Sequence, residues 1–314
     1  MIVTHSRCRI ITAAFLMLLL VSAVIGNAEQ KATTPPDKQA EWAAQEKQLD
    51  QTAVVAASTI SHLNIPYGAN ALQKLDVYAP SGVNNMPVVV FVHGGEWARH
   101  DKASVSFKPK FLNEHGIIFV SINYRLSPPA VHPDHVNDVA AAVAWLRSHI
   151  AEYGGSPDKI FLMGHSAGCH LVTLTGLDPR PLARFGLKPK DLRGVIAWSG
   201  GAYDLVQRVH DAGMYAPYIR KAFGDKEANW RDGSPVYHVT DTKPLPPFLF
   251  ISVERNNPSH LASERLASLI REAGGKAESR LIENRNHLTA IHLLGAPDDT
   301  TGQILLDFVA RNAK

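Results

Sequence analysis

The segment Gly164-His165-Ser166-Ala167-Gly168 sets one serine between two glycines. It follows the apolar run 159–163 (KIFLM) and precedes 167–176 (AGCHLVTLTG). A strand that passes through G-x-S-x-G into a helix is the context of a nucleophile elbow, where the serine sits on a cramped turn and only glycines leave room for the crossing backbone. The chemistry open to such a serine is acyl transfer. Its hydroxyl is a weak nucleophile at neutral pH, so it needs an adjacent base, a group that orients the base, and N–H donors for a tetrahedral oxyanion. Residues 93–97 (HGGEW) follow a second apolar run, 86–92 (MPVVVFV). Glycines there let backbone amides approach an oxyanion: Gly94, Gly95 or Glu96 would supply one or two donors and Ala167 another. His93 is expected to shape this loop rather than to act as a base.

The order of groups that goes with this elbow is serine, acid, histidine, which places the base near the C-terminus. His287, in 281–292 (LIENRNHLTAIH), comes just after the last expected strand and is the choice. His292 lies one helical turn later and reads as packing. The acid should follow 246–253 (PPFLFISV), yet Asn256 stands at its usual position, with Asn257 beside it. An amide can accept a hydrogen bond from an imidazole but cannot stabilise an imidazolium by charge; the same change in serine proteases costs about 10⁴ in turnover. Glu254, at the strand end, and Asp204, after the preceding strand, are substitute carboxylates of equal standing, and a site with no acid is the third reading. His132 and His135 lie close together, but no third ligand at suitable spacing makes a metal site of them.

Such groups need a scaffold that brings distant segments together. Short apolar runs bounded by turn residues recur at 72–80, 86–95, 115–124, 158–166, 191–200, 246–254 and 277–283, and read as buried strands. Helical spacing appears at 136–155 and 259–275, each stopped by a glycine pair, and at 300–312. Strands alternating with helices imply a mostly parallel sheet covered on both faces. Residues 203–240 break the rhythm and are expected to form a small helical cap. No repeat, heptad or phosphate-binding glycine loop is present.

The composition suits this. The 314 residues are 45% hydrophobic and 19% charged, enough for a substantial core. Arg7 and Arg9 precede an apolar run at 10–25, with Gly26 and Ala28 after it. This is the pattern of a secretory signal cleaved after Ala28, and the run is short for a full membrane span of about 20 residues. The formal charge of +3 falls by two when that segment is removed, which leaves no electrostatic reason to expect a nucleic acid partner. Of two cysteines, Cys8 would leave with the signal; Cys169 would remain alone, a small buried packing residue with no disulfide partner.

From about residue 60 to 312 the chain resembles the α/β-hydrolase fold, and within it the esterases with an HGGxW loop. It also resembles kynurenine formamidases and secreted carbohydrate acetyl or feruloyl esterases, which share that loop. The residues that carry the likeness are 73–80 (QKLDVYAP), 93–97, 122–128 (INYRLSP), 142–168 (AVAWLRSHIAEYGGSPDKIFLMGHSAG) and the closing histidine segment. The resemblance implies a Ser–His–acid triad, an acyl-enzyme intermediate and no cofactor. Ser166, His287, Gly94, Gly95 and Ala167 match it; the acid does not. Tyr124 and Arg125 match its pattern and read as scaffold, with Asp138 as partner. The expectation is a signal peptide at 1–28, a linker at 29–58 and an α/β-hydrolase domain at 59–314. It would be a secreted or periplasmic serine esterase of small carboxylic esters, without metal and without stable membrane insertion after cleavage. Two alternatives stand beside it: an arylformamidase or amidase, and, because of Asn256, an impaired hydrolase fold used for binding.

Overall fold

A computed structural model describes residues 53–240, 244–253 and 257–314. The strands are β1 (Thr59–Pro66), β2 (Lys74–Pro80), β3 (Met86–Val92), β4 (Ile118–Ile122), β5 (Gly155–His165), β6 (Gly194–Trp198), β7 (Phe248–Val253) and β8 (Ala277–Ile282). They form one sheet in the order β1-β2-β4-β3-β5-β6-β7-β8. β2 runs antiparallel to both neighbours, and the pairs from β4 to β8 are parallel. The helices are α1 (Lys108–Glu114), α2 (Asp134–His149), α3 (Ala167–Leu177), α4 (Pro179–Ala183), α5 (Leu205–His210), α6 (Ala216–Phe223), α7 (Glu227–Asp232), α8 (Pro258–Glu272), α9 (Thr289–His292) and α10 (Gly302–Asn312).

Alternation along the strands divides the core into two layers. Val88, Val90 and Val92 of β3, with Ile160 and Leu162 of β5, face α2, α3 and α8 through Val139, Val143, Leu171, Val172, Leu266 and Ile270. Val89, Phe91, Phe161, Met163 and Ile196 face the other way, onto Leu112 of α1 and Leu305 and Phe308 of α10. Successive strand side chains point to opposite faces, so a sheet covered twice needs unbroken apolar strands. That is why the central strands were legible as apolar runs. β1 was not expected. It is an edge strand with a mostly exposed face, and its sequence TISHLNIP lacks the apolar run that marks the others. The body also begins earlier than residue 59, since Val54 N–H donates to Ser106 O at 2.8 Å and Lys110 N–H donates to Val54 O at 3.0 Å. The expected signal at 1–28, and the linker as far as residue 52, lie outside the described residues.

Residues 203–240 do fold as short helices, α5 to α7 and a 3₁₀ turn at Pro235–His238. The ring of Phe223 on α6 stands 5.2 Å from Trp97, 5.4 Å from His170 and 5.2 Å from His132, centroid to centroid. His170 Nε2–H donates to Gly233 O at 2.6 Å, and His132 Nε2 lies 2.9 Å from Asp232 Oδ2. The segment therefore docks on the HGGEW loop and on α3 through aromatic rings and imidazoles. His135, bonded to Ser127 Oγ at 2.8 Å, completes the cluster. Burial pushes His135 and His170 down to about 3, so both are neutral at pH 7. No helix among the described residues is long and apolar enough to cross a membrane.

Two outcomes follow for stability. A histidine whose folded-state pKa is depressed is neutral in the fold and protonates in the unfolded chain from about 6.5 downward. Its contribution is whole above pH 6.5 and lost as pH falls toward about 3. Calorimetric scans from pH 7 to 4 should show Tm nearly level above 6.5 and falling by at least about 2–4 °C per pH unit below it; a flat profile down to pH 4 would contradict neutral burial. Separately, a Cβ on Gly168 would lie 2.0 Å from Val92 O, whereas one on Gly213 would meet nothing within 4 Å. Urea denaturation should find Gly168→Ala less stable by about 2–3 kcal/mol and Gly213→Ala within about 0.5 kcal/mol of the parent.

Candidate active site

The carboxyl ends of the parallel strands lie along one edge of the sheet, and the predicted groups emerge there. β5 ends at His165, and Ser166 is the N-cap residue of α3, with φ 54° and ψ −117°. A serine with positive φ costs on the order of 1–3 kcal/mol and persists only where the surroundings impose it. Here they do. A Cβ on Gly164 would lie 2.2 Å from Gly168 O, and one on Gly94 would lie 2.9 Å from Ser166 Cβ. Ser166 itself is half-exposed while Gly164, His165 and Ala167 are buried.

The HGGEW loop leaves β3 in contact with this turn. Tyr124 Oη–H reaches the carbonyls of His93 (3.2 Å) and Gly94 (3.0 Å), and His93 Nδ1–H donates to Gly94 O at 2.9 Å. The carbonyl of Gly95 accepts from Ala98 N–H and Arg99 N–H at 2.8 and 3.0 Å. In a trans peptide the N–H points opposite to the C=O, so the amides of Gly95 and Glu96 face away from those partners. The Ala167 N–H opens α3 and has no intrahelical acceptor. Of the expected donors, Gly94 lies against Ser166 and Ala167 follows it at the start of α3. The Glu96 carboxylate is turned to Arg99, 2.6 Å away. His93 stacks on Tyr124 at 4.6 Å and burial pushes it down to about 4, so it shapes the loop as a neutral ring. Beyond the loop, Lys102 Nζ bonds Asp76 Oδ1 at 2.7 Å and Asn64 Oδ1 at 2.9 Å in a nearly dry ion pair that ties the segment to β2.

His287 follows β8 and is half-buried. Its ring lies 4.5 Å from that of His165, the residue before Ser166. His165 Nε2–H donates to the backbone carbonyl of His287 at 2.9 Å. Burial, and then the neighbouring imidazole, hold His165 well below the ordinary histidine range. The Nδ1 of His287 is 3.0 Å from Ser199 Oγ, at the end of β6. No hydrogen bond joins Ser166 Oγ to His287 among the described residues; such bonds commonly tighten only once substrate is in place. The structure thus brings Ser166, His287 and the loop amides to one edge.

The third member stands differently. Glu254 and Asn256 lie outside the described residues. The Asp204 carboxylate accepts from Gln207 N–H at 3.0 Å and caps α5. Aspartate is a favoured N-cap, and that local bond is where its charge is used. Glu283 lies just past β8. His292 is buried in α9, as its packing role required. Arg125 holds Asp138 through Nε at 2.8 Å and Nη2 at 2.7 Å, beside Gln73 Nε2 at 2.7 Å, so this pair is scaffold. Cys169 is buried, its Sγ 3.0 Å from the carbonyls of Gly164 and Trp198. Sequence reasoning missed Ser199 and the role of His165. The pattern Trp198-Ser199-Gly200 at a strand end repeats the serine–small-residue texture of the elbow and was the available signal.

Comparison with known proteins agrees with this geometry. Residues 75–261 match the BD-FAE family. A probable isoprenylcysteine alpha-carbonyl methylesterase of Arabidopsis thaliana, ICMEL1, is 32% identical over 245 residues, 71% of this chain and 50% of that protein. Esterase LipQ of Mycobacterium tuberculosis is 31% identical over 245 residues, 70% of this chain and 58% of its own. The chain therefore spans about half the length of the curated relatives it matches. Among solved structures, esterase B of Lactobacillus rhamnosis superposes with a TM-score of 0.72 at 22% identity, covering 94% of this chain and 97% of the other. A truncated carbohydrate esterase from gut microbiota gives a TM-score of 0.70 at 22% identity, with 84% and 99% covered. These likenesses establish the α/β-hydrolase fold. Because the matched segment runs from β2 through the glycine loop and the elbow into α8, the chain belongs to the BD-FAE family, one of the α/β-hydrolase esterase families.

Proposed function

We propose that the protein is a serine hydrolase of small carboxylic esters. Ser166 Oγ attacks the ester carbonyl while His287 takes its proton. The carbonyl oxygen becomes an oxyanion held by the amides of Ala167 and of Gly95 or its loop neighbours. Collapse of the tetrahedral intermediate breaks the ester C–O bond, and the proton on His287 passes to the departing alcohol. Water, deprotonated by the same imidazole, then attacks the acyl carbon; the bond to Ser166 Oγ breaks, the proton returns to that oxygen and the acid leaves.

The observation that carries this reading is the backbone of Ser166, forced to φ 54° at the mouth of the sheet, with Gly94 against it and the His287 ring one residue away. The esterase names of the relatives point the same way. Export belongs to the same reading and rests on Arg7, Arg9 and the apolar run that follows them.

Ser166→Ala should reduce p-nitrophenyl acetate turnover by at least about 10⁴-fold and abolish labelling by a fluorophosphonate probe. Turnover within tenfold of the parent would remove the proposal, and faster hydrolysis of N-formyl substrates than of esters would transfer it to the amidases. Gly94→Ala should cost about 10²–10³ in kcat, because its Cβ would intrude 2.9 Å from Ser166 Cβ and push the donors off the oxyanion. For export, N-terminal sequencing of the protein from its own cells should begin at Glu29; a chain still carrying Arg7 and Arg9 would contradict cleavage.

A further inference from the structure

Ser166 and Ser199 hold equivalent places at the ends of neighbouring strands. The parallel ladder of β5 and β6 ends with His165 paired to Trp198, so each serine is the residue just beyond the last pair. Both have φ 54°, a conformation uncommon for any residue but glycine. Adjacent strands lie about 4.8 Å apart, within the span of one imidazole and its two hydrogen bonds. The serines then part in role. Ser166 is half-exposed and opens α3. Ser199 is buried, its N–H donates to Ile251 O at 2.7 Å, and its Oγ lies 3.0 Å from Nδ1 of His287. Gly200 behind it leaves no slack, since a Cβ there would lie 2.3 Å from Cys169 Cβ.

We propose that Ser199 is a positioning residue for the base: its Oγ accepts the Nδ1–H of His287, which leaves Nε2 unprotonated to take the proton of Ser166. The proposal rests on the reading of Ser166 and His287 as nucleophile and base. With Nδ1–H as the donor, the neutral ring must accept at Nε2. A hydroxyl orients the ring as a carboxylate does, but it adds no charge to favour the imidazolium. His165 holds the same residue from its other side through the backbone carbonyl, so the base is fixed at both its ring and its main chain.

The test is steady-state kinetics with p-nitrophenyl acetate, from pH 5 to 9, on the full chain and on Ser199→Ala and Ser199→Asp. Ala removes the acceptor. Asp restores one, tolerates a positive φ and adds charge. Ser199→Ala should lower kcat by about 10–10²-fold with KM within about twofold and Tm close to the parent. Ser199→Asp should raise the acid limb of the kcat/KM profile by about one pH unit, because a carboxylate at Nδ1 favours the protonated ring. An unchanged kcat in Ser199→Ala overturns the proposal. So does an Asp variant whose acid limb stays at the parent's pH or that no longer takes the fluorophosphonate probe. Should the Ala variant not fold, the Asp profile decides alone. Wild-type turnover in Ser166→Ala would instead sink the underlying reading, so the two failures are told apart.

Discussion

The site depends on a contact between backbones. Where β5 turns into α3, the helix start lies against the end of β3 so closely that a Cβ on Gly168 would overlap Val92 O at 2.0 Å, and one on Gly164 would overlap Gly168 O at 2.2 Å. With no side chain between them, the first turn of α3 and the loop after β3 share one small volume. That closeness goes with the positive φ of Ser166 and sets the first turn of α3 beside the HGGEW loop. In the proposed reaction, the nucleophile and the oxyanion donors are two consequences of one steric constraint. Their carbonyls are tied behind the loop by Tyr124 and His93, which fixes the direction of the amides before any substrate binds and spares reorganisation during the reaction.

Much of this was readable in the chain because it was encoded locally. The central strands are apolar on both faces since both faces are covered, and G-x-S-x-G and the double glycine of the loop are short, contiguous patterns. The edge strand β1 carries no such pattern because most of its side chains meet water. α1, seven residues entered through Pro109, is too short for a periodic face. Ser199 and the role of His165 belong to a different class. Each acts through a residue about ninety or more positions away, and its meaning depends on strand register, which a single sequence does not disclose. The N-cap place of Asp204 was legible locally: it stands just before an apolar helix start, and its carboxylate accepts from Gln207 N–H.

The surroundings of the site are rich in histidine yet poor in positive charge. His93, His135, His165 and His170 are all held neutral by burial. Each finds a carbonyl or a hydroxyl for one ring nitrogen. They work as shaped, polar packing between the loop, α3 and the cap segment, a use open to imidazole because its neutral form combines a flat apolar face with a donor and an acceptor at fixed angles. Charge is kept instead in fully bonded pairs, Lys102 with Asp76 and Arg125 with Asp138, which lie behind the loop and away from the elbow. Breaking one partner of such a buried pair costs far more than the pair contributes, so they act as fixed pins for the loop rather than as a reserve of stability.

The neutrality of His165 has a direct bearing on the base. In the proposed mechanism His287 becomes a cation on taking the serine proton, with the His165 ring 4.5 Å away. A charged His165 would oppose that step by Coulomb repulsion, little screened in a buried pair. Burial removes the conflict, and the single proton of His165 must sit on Nε2, because the carbonyl of His287 can only accept. Donation to that carbonyl holds the main chain without drawing on the imidazole. In the proposed mechanism Nδ1 faces Ser199 and Nε2 takes the proton of Ser166. The neighbouring histidine grips the backbone, a serine meets the ring and neither carries charge, so in the proposed mechanism the group at Nδ1 bears directly on the basicity of the site.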